Sequence, residues 1–549
     1  MTAALTDRQE KGVTLRPVAE RSLTRRLLYW AEQKPQADAV RCAATSRSLS
    51  YSELIDRGLG FAALLRSAGL GVGEHIGIML PNGLDWVVSW AGAMIGGFVD
   101  VGIDPESKAA MLRHYVSSSD VKILVCNPEQ AETIRDAGLD DLPLVIWGEG
   151  SPVDASTRVP EVLTAGKNQV VHRDPRADMS IRFTSGTTGP AKPAMLTQSH
   201  LEVWASHFVE LMQITDEDVL YTPFPLSHHL ASVMGVLAMT FAGGTCVIDA
   251  RFSLSRFWDT VRREKATRLH VLQPVINLLM AKPESPSDRD HSARLAYIGV
   301  PGSGFEERFG VELLIAYGLT EGSMLAYRRP GDPGPQLATS CAIGGQVLGR
   351  SNPHFEVQVL DDWDQPCTIG EKGNICFRPR TPYTALQQYY NYEAATVKAS
   401  SNLWFHTGDI GCFDEENYLH FFGRSGDTIR RKGHNIPIFH VEEAARMCTG
   451  VREAFVIPVA APGNEFDLKL ILIPQGEVRD LDPRSVIERL TLELPPIWVP
   501  SFIEVREEVP RTRTYKVLKS ALREEGVNGL TPGTLRTSDW SPALGSRQS

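Results

Sequence analysis

Residues 181–195 read IRFTSGTTGPAKPAM. Apolar Ile181 and Phe183 predict a strand that stops where the small residues begin. Thr184, Ser185, Gly186, Thr187, Thr188 and Gly189 follow, then Pro190 and Lys192. Glycine admits backbone conformations closed to other residues. Successive N–H groups in such a turn converge on an anion-binding concavity. Hydroxyls and a lysine add further donors, so the loop suits a polyphosphate. It is not a Walker A loop, because Gly186 and Gly189 are too close together and Lys192 does not follow a glycine.

Outward from this loop, the chain reads as strands alternating with helices. Ser22 or Thr24 caps a predicted helix that runs through Leu27 and Trp30 and stops before Pro35. Tyr51–Ala68 has helical spacing. His75–Leu80 is a short apolar strand broken by Pro81-Asn82-Gly83, Trp86–Ile95 an apolar helix and Phe98–Ile103 a strand. A second round follows: helix Lys108–Ser117, strand Lys122–Cys126, helix Glu129–Ala137, strand Leu144–Trp147. This period implies βαβ units and a parallel sheet. Ligands on such sheets gather at the carboxyl ends of strands, where the 184–192 loop would lie.

Further strands are predicted at Leu220–Pro225, Leu269–Leu272, Leu295–Val300 and Val311–Ala316. Gly344–Ile410 reads as β-rich. Beyond Arg424 the composition turns smaller and more charged, with a helix at Val441–Cys448 and strands at Ala454–Val459 and Leu468–Ile473. The expected class is α/β: a large N-terminal domain with βαβ parallel sheets and a β-rich subdomain, plus a small mobile α+β C-terminal domain. The boundaries are a loose arm at 1–20, the large domain at 21–423, a hinge at 424–427 and the small domain at 428–526. A Gly-, Ser-, Thr- and Pro-rich tail at 527–549 reads as disordered.

The 549 residues are too many for one small core. Net charge is −10 with both signs interspersed, and no basic patch with interleaved aromatics occurs, which argues against nucleic acid. The eight cysteines form no C-x-x-C pair and fit free thiols in a reducing cytoplasm. The N-terminus lacks a signal-peptide core. The uncharged run Leu230–Ile248 has membrane-spanning length, but Gly243-Gly244 within it more naturally separates a helix from a strand.

Four more signatures follow the loop. Tyr317-Gly318-Leu319-Thr320-Glu321 is the first and His406-Thr407-Gly408-Asp409 the second. Gly423-Arg424 leads to Asp427, Ile429 and Gly433, and Pro510-Arg511-Thr512 leads to Lys516. In this order they resemble the motifs of the adenylate-forming superfamily: acyl-CoA synthetases, firefly-type luciferases and peptide-synthetase adenylation domains. The resemblance spans about residues 20 to 525. It implies attack of a weak oxyanion on the α-phosphate of ATP, with release of pyrophosphate.

The resemblance also implies roles. The 184–192 loop would hold the β- and γ-phosphates, Thr320 would donate to the α-phosphate and Glu321 would hold Mg²⁺. Tyr317, followed by Gly318, would face the adenine, and Asp409 with Arg424 would hold the ribose. Lys516 would be the catalytic cation. His228, of the pair His228-His229, would lie by the acyl pocket, with a helix cap as the alternative reading for either histidine. No third ligand accompanies that pair, so zinc is disfavoured. Gly426 and Asp427 would form the pivot, and Gly433 would lie by the acceptor channel. Several positions depart from the superfamily pattern. Tyr515 stands where a glycine is usual before the lysine, Pro193 replaces another glycine, and Pro190-Ala191 reverses a familiar order. Gly426 lacks the usual Asp or Lys side chain. The segment between Gly299 and Phe309 is short and lacks the usual Gly-Gly-Ala turn.

The leading expectation is adenylation of a small acid followed by transfer to coenzyme A, giving a thioester. One alternative is an ATP-dependent diazotase that activates nitrite and passes it to an aromatic amine. Another is a catalytically inactive homologue acting as a binding protein.

Overall fold

The structure, a computed structural model, describes residues 22–148, 157–158, 170–184, 191–298, 304–332, 346–424, 428–431, 434–461, 465–513, 515 and 517–540. The predicted alternation builds a seven-stranded sheet. Its order is Thr157–Arg158, Leu144–Ile146, Val121–Cys126, His75–Met79, Val99–Gly102, Asp178–Thr184 and Lys192–Thr197. All neighbours are parallel except the last pair, where Thr184 lies opposite Lys192. Residues 185–190 therefore join two antiparallel strands at the carboxyl end of Asp178–Thr184. Beneath that end, buried Arg182 is ion-paired with buried Asp100 on the adjacent strand.

Helix Leu23–Gln33 starts at Ser22, whose side chain accepts from the Arg25 N–H. Helix Tyr51–Ser67 opens with a capping box between Ser50 and Glu53. The uncharged run at 230–248 is not one helix. It forms the short turns His229–Ala231, Ser232–Leu237 and Ala238–Ala242, ends at Gly243 with φ of 81°, and becomes strand Thr245–Ile248. A Cβ on Gly243 would lie 2.5 Å from the Trp30 ring, so glycine is required there on two counts. Among the described residues no helix is long and apolar enough to cross a membrane.

A second sheet has thirteen strands, with Arg47–Ser50 at one edge, antiparallel to Asp38–Cys42. Its parallel part runs through Asp38–Cys42, Thr245–Ile248, Val219–Thr222, Arg268–His270, Leu295–Ile298 and Glu312–Leu319. It continues antiparallel through Ser323–Arg328, Gln346–Ser351, Tyr418–Arg424, Phe405–Phe413, Gly373–Pro379 and Phe355–Leu360. Four inter-strand steps separate Glu312–Leu319 from Phe405–Phe413. On a flat sheet that is about 19 Å, beyond the combined reach of a tyrosine and an aspartate. Yet the Tyr317 hydroxyl donates to Asp409 Oδ2 at 2.6 Å. The sheet must curl, and Tyr317, Phe355, Ile375, Phe377 and Leu419 pack together inside the curve.

The small domain pairs Val451–Ala461 antiparallel with Glu465–Pro474, which is parallel to Phe502–Val505. Helices Ile438–Arg446 and Pro483–Glu493 cover a core that includes Val441, Val456, Leu470, Ile487 and Ile503. The expected disordered tail is corrected over 527–540. Leu535 and Arg536 pair with Ile503 and Phe502. Fully buried Lys469 donates to the Gly529 carbonyl at 2.6 Å, and Trp540 packs against the core. The arm at 1–20 and residues 541–549 lie outside the described residues.

Candidate active site

Strands Glu312–Leu319 and Ser323–Arg328 are joined by a tight turn with a bulge between Tyr317 and Gly318. A Cβ on Gly318 would lie 2.1 Å from the Ser323 carbonyl oxygen, so no other residue fits. Thr320 and Glu321 are thereby held, buried, at the tip. Glu321 Oε1 accepts from the Tyr389 hydroxyl at 2.7 Å, and its carbonyl accepts from the Leu386 N–H. The Lys192 ammonium lies 4.6 Å from the centre of the Tyr389 ring, a cation–π contact. Tyr389 was not singled out from the sequence, yet it links the strand after the glycine loop to the Thr-Glu turn. It can do so because residues 388–390 lie along Pro193–Met195, with the Tyr390 N–H donating to the Pro193 carbonyl at 2.9 Å.

Glu321 is only 7% exposed. Burial raises its pKa above the usual carboxylate value, against the lowering effects of the Tyr389 hydrogen bond and the nearby Arg424 and Lys192 charges. Asp409, also buried, accepts from Tyr317 on one oxygen and from Arg424 Nε, at 3.1 Å, on the other. Burial and the Asp409 charge keep the Tyr317 hydroxyl protonated, so it remains the donor. The Asp409 N–H donates to Thr407 Oγ1 at 3.0 Å, which fixes the turn around Gly408. Tyr317, Asp409 and Arg424, far apart in sequence, form one hydrogen-bonded unit.

The two histidines divide the roles otherwise than expected. His228 Nδ1 accepts from the Leu230 N–H and caps a helical turn, so the cap reading falls on His228. His229 Nδ1 lies 3.3 Å from Thr320 Oγ1, and its ring packs on Trp204 with centroids 4.5 Å apart. His229 is thus the imidazole in direct contact with the Thr-Glu turn.

Thr184 and Lys192 flank the loop. Ser185, Gly186, Thr187, Thr188 and Gly189 lie outside the described residues, as do Gly426, Asp427, Gly433, Lys516 and the short segment 299–303. The neighbours of Lys516 are described: Arg511 pairs with Val517, and Arg513 Nη1 meets Asp104 Oδ1 of the large domain at 3.1 Å. Among the described residues no cluster of three His, Cys, Asp or Glu side chains could hold a metal ion. A single buried carboxylate such as Glu321 fits Mg²⁺, which takes few carboxylates and completes its shell with phosphate oxygens and water.

Residues 27–390 match the AMP-binding enzyme family, and residues 440–516 match the AMP-binding enzyme C-terminal domain. The chain is 28% identical over 500 residues to crotonobetaine/carnitine–CoA ligase of Salmonella typhimurium (strain LT2), covering 88% of this chain and 94% of that one. Among solved structures, ATP-bound MatB from Rhodopseudomonas palustris gives a TM-score of 0.77 at 23% identity, covering 90% and 98% of the two chains. A benzoate CoA ligase from Burkholderia xenovorans LB400 gives 0.78 at 19%, covering 92% and 100%. Domain plan, site and sequence kinship together define an adenylate-forming ligase of the acyl-CoA synthetase type. The chain belongs to the AMP-binding enzyme family, and matches both that family's main domain and its C-terminal domain.

Proposed function

We propose that the protein couples a small acid to ATP, releases pyrophosphate, and passes the acyl group to coenzyme A. The observation that carries this reading is the approach of two clusters, Lys192–Tyr389–Glu321 and Tyr317–Asp409–Arg424, with Thr320 in the turn between them. The first suits phosphates and their Mg²⁺, and the second suits the nucleoside.

In the first step an acid oxygen attacks the α-phosphorus, and the bond to the β-bridging oxygen breaks. Both reactants are anionic, so the site must supply positive charge and donors where charge develops. Lys192 and the 184–192 loop would bear on the β- and γ-phosphates, and Thr320 on the α-phosphate. Glu321 would hold Mg²⁺, which screens the phosphate charge. Tyr317 would lie against the adenine. Asp409, ion-paired with Arg424, would accept from the ribose hydroxyls. Lys516 would stabilise the transition state. The small domain would then turn about Gly426 and Asp427, bringing Gly433 to the acceptor channel, where the thiol sulfur attacks the acyl carbon and AMP leaves. His228 and His229 would border the acid. The relatives named above support coenzyme A as acceptor and lend no support to the nitrite or inactive-homologue readings.

The test is release of AMP and pyrophosphate from ATP and Mg²⁺ with a carboxylate panel plus coenzyme A, against nitrite plus an arylamine. Release with a carboxylate is expected, and release only with nitrite overturns the reading. Lys516→Ala is expected to slow adenylation by roughly 100-fold or more with little change in ATP affinity.

A further inference from the structure

A hairpin at 510–518 reaches from the small domain onto the large one. The Leu518 N–H donates to the Pro510 carbonyl at 2.9 Å, and Arg511 pairs with Val517. At its tip the Tyr515 N–H donates to the Thr512 carbonyl at 2.8 Å. Tyr515 has φ of 61°, a region that bulky L-residues rarely occupy. Such a conformation persists only where the surroundings over-determine it. Here much of that surrounding belongs to the other domain. The Tyr515 ring meets Phe252 edge-on, centroids 5.3 Å apart, and packs against the large-domain core. Phe252 is itself buried and backed by Phe257 at 5.9 Å. The same hairpin is tied to its own domain by Arg511, which donates to the Tyr515 carbonyl at 3.2 Å and to Glu453 Oε1 at 2.7 Å. Around the ring, Pro223, Pro225, Arg251 and Phe252 face Arg511 and Arg513 across a cavity of about 200 Å³.

We propose that Tyr515 is a positioning residue whose ring, seated on Phe252, sets the small domain in the pose that serves the first half-reaction. Resting on the adenylation reading above, the proposal assigns the ring an effect through Lys516, the next residue in the chain. Among the described residues, ion pairs from Arg513 to Asp104 and Glu106 and the Tyr515–Phe252 aromatic contact dock the hairpin. The Arg513–Asp104 ion pair is partly exposed, and such pairs contribute little. The aromatic contact is not screened by salt and is the stronger anchor. Departure from this pose requires the ring to leave Phe252, so the same contact slows the passage to the second half-reaction.

Glycine at 515 separates backbone from ring, because it accepts a positive φ without strain. Tyr515→Gly is expected to lower kcat for acid-dependent pyrophosphate release by about 30-fold, with KM for ATP within about threefold. Tyr515→Phe keeps the ring and is expected to retain the wild-type rate. Thioester formation from preformed acyl-adenylate and coenzyme A should be as fast in Tyr515→Gly as in wild type, or faster. Small-angle scattering gives a readout free of activity: Tyr515→Gly and Phe252→Ala should both enlarge the radius of gyration. Equal slowing of both half-reactions, or wild-type adenylation with unchanged scattering, overturns the proposal. Ring-dependent scattering in a protein that releases no pyrophosphate with any acid would sink the adenylation reading and leave the docking role standing.

Discussion

Glu321 is a carboxylate almost wholly out of water, and the consequence for stability has a definite sign. Its folded pKa is raised by burial above the unfolded value. Well above both, the group is ionised in either state and the fold bears the full desolvation cost. Below the unfolded pKa it is protonated in both, and the cost vanishes. Glu321→Gln is therefore expected to raise Tm at pH 7 to 8, with the gain shrinking as pH falls through the raised folded pKa. Thermal melts across that range check it. On the proposed reading the same change lowers Mg²⁺-dependent adenylation by about tenfold or more. At this scale the charged and aromatic members of the site were legible, because Tyr317, Glu321, Asp409 and Arg424 sit in short motifs. Tyr389 was not, since nothing local marks a tyrosine that pairs with a turn 68 residues away. Nor was the division between His228 and His229, because one residue of helix start decides which ring caps and which faces Thr320.

Elements show a different boundary of legibility. Apolar alternation predicted the helices and parallel strands well, since their burial is written in side chains. The segment 527–540 has no such pattern. It is held by backbone pairing to Phe502 and Ile503 and by the Lys469–Gly529 hydrogen bond, which leave little trace in composition. Its removal has a cost: Lys469, fully buried, would keep Glu504 but lose a carbonyl acceptor, and the core would lose Trp540. Deletion of residues 527–549 is expected to destabilise the small domain by roughly 2–4 kcal/mol, from one charged hydrogen bond plus apolar burial. Differential scanning calorimetry should show an earlier transition for that domain and an unchanged one for the large domain.

For the whole molecule, the question is what holds two domains in one pose. A partly exposed ion pair is worth at most about 1 kcal/mol and weakens with salt, whereas the Tyr515–Phe252 contact does not. Between about 0.05 M and about 0.5 M salt, the adenylation rate is therefore expected to change less than about fivefold. Stopped-flow pyrophosphate release checks this, and a steeper fall would give the docking to Arg513 and Asp104. Strand pairing at this scale was beyond sequence patterning. Gln346–Ser351 pairs with Tyr418–Arg424, strands separated by three others in the chain order of the same sheet.

That curled sheet brings Asp409 to Tyr317 only because its side chain lies on the inner face. Side chains alternate between faces along a strand. One residue inserted in Phe405–Phe413 ahead of Asp409 would turn the carboxylate outward, and the Tyr317 hydroxyl and Arg424 would lose their acceptor. No residue type would be missing from the sequence. On the proposed reading of Asp409, the odd or even parity of an insertion in this strand of a homologue says more about nucleotide capture than the presence of the motif itself.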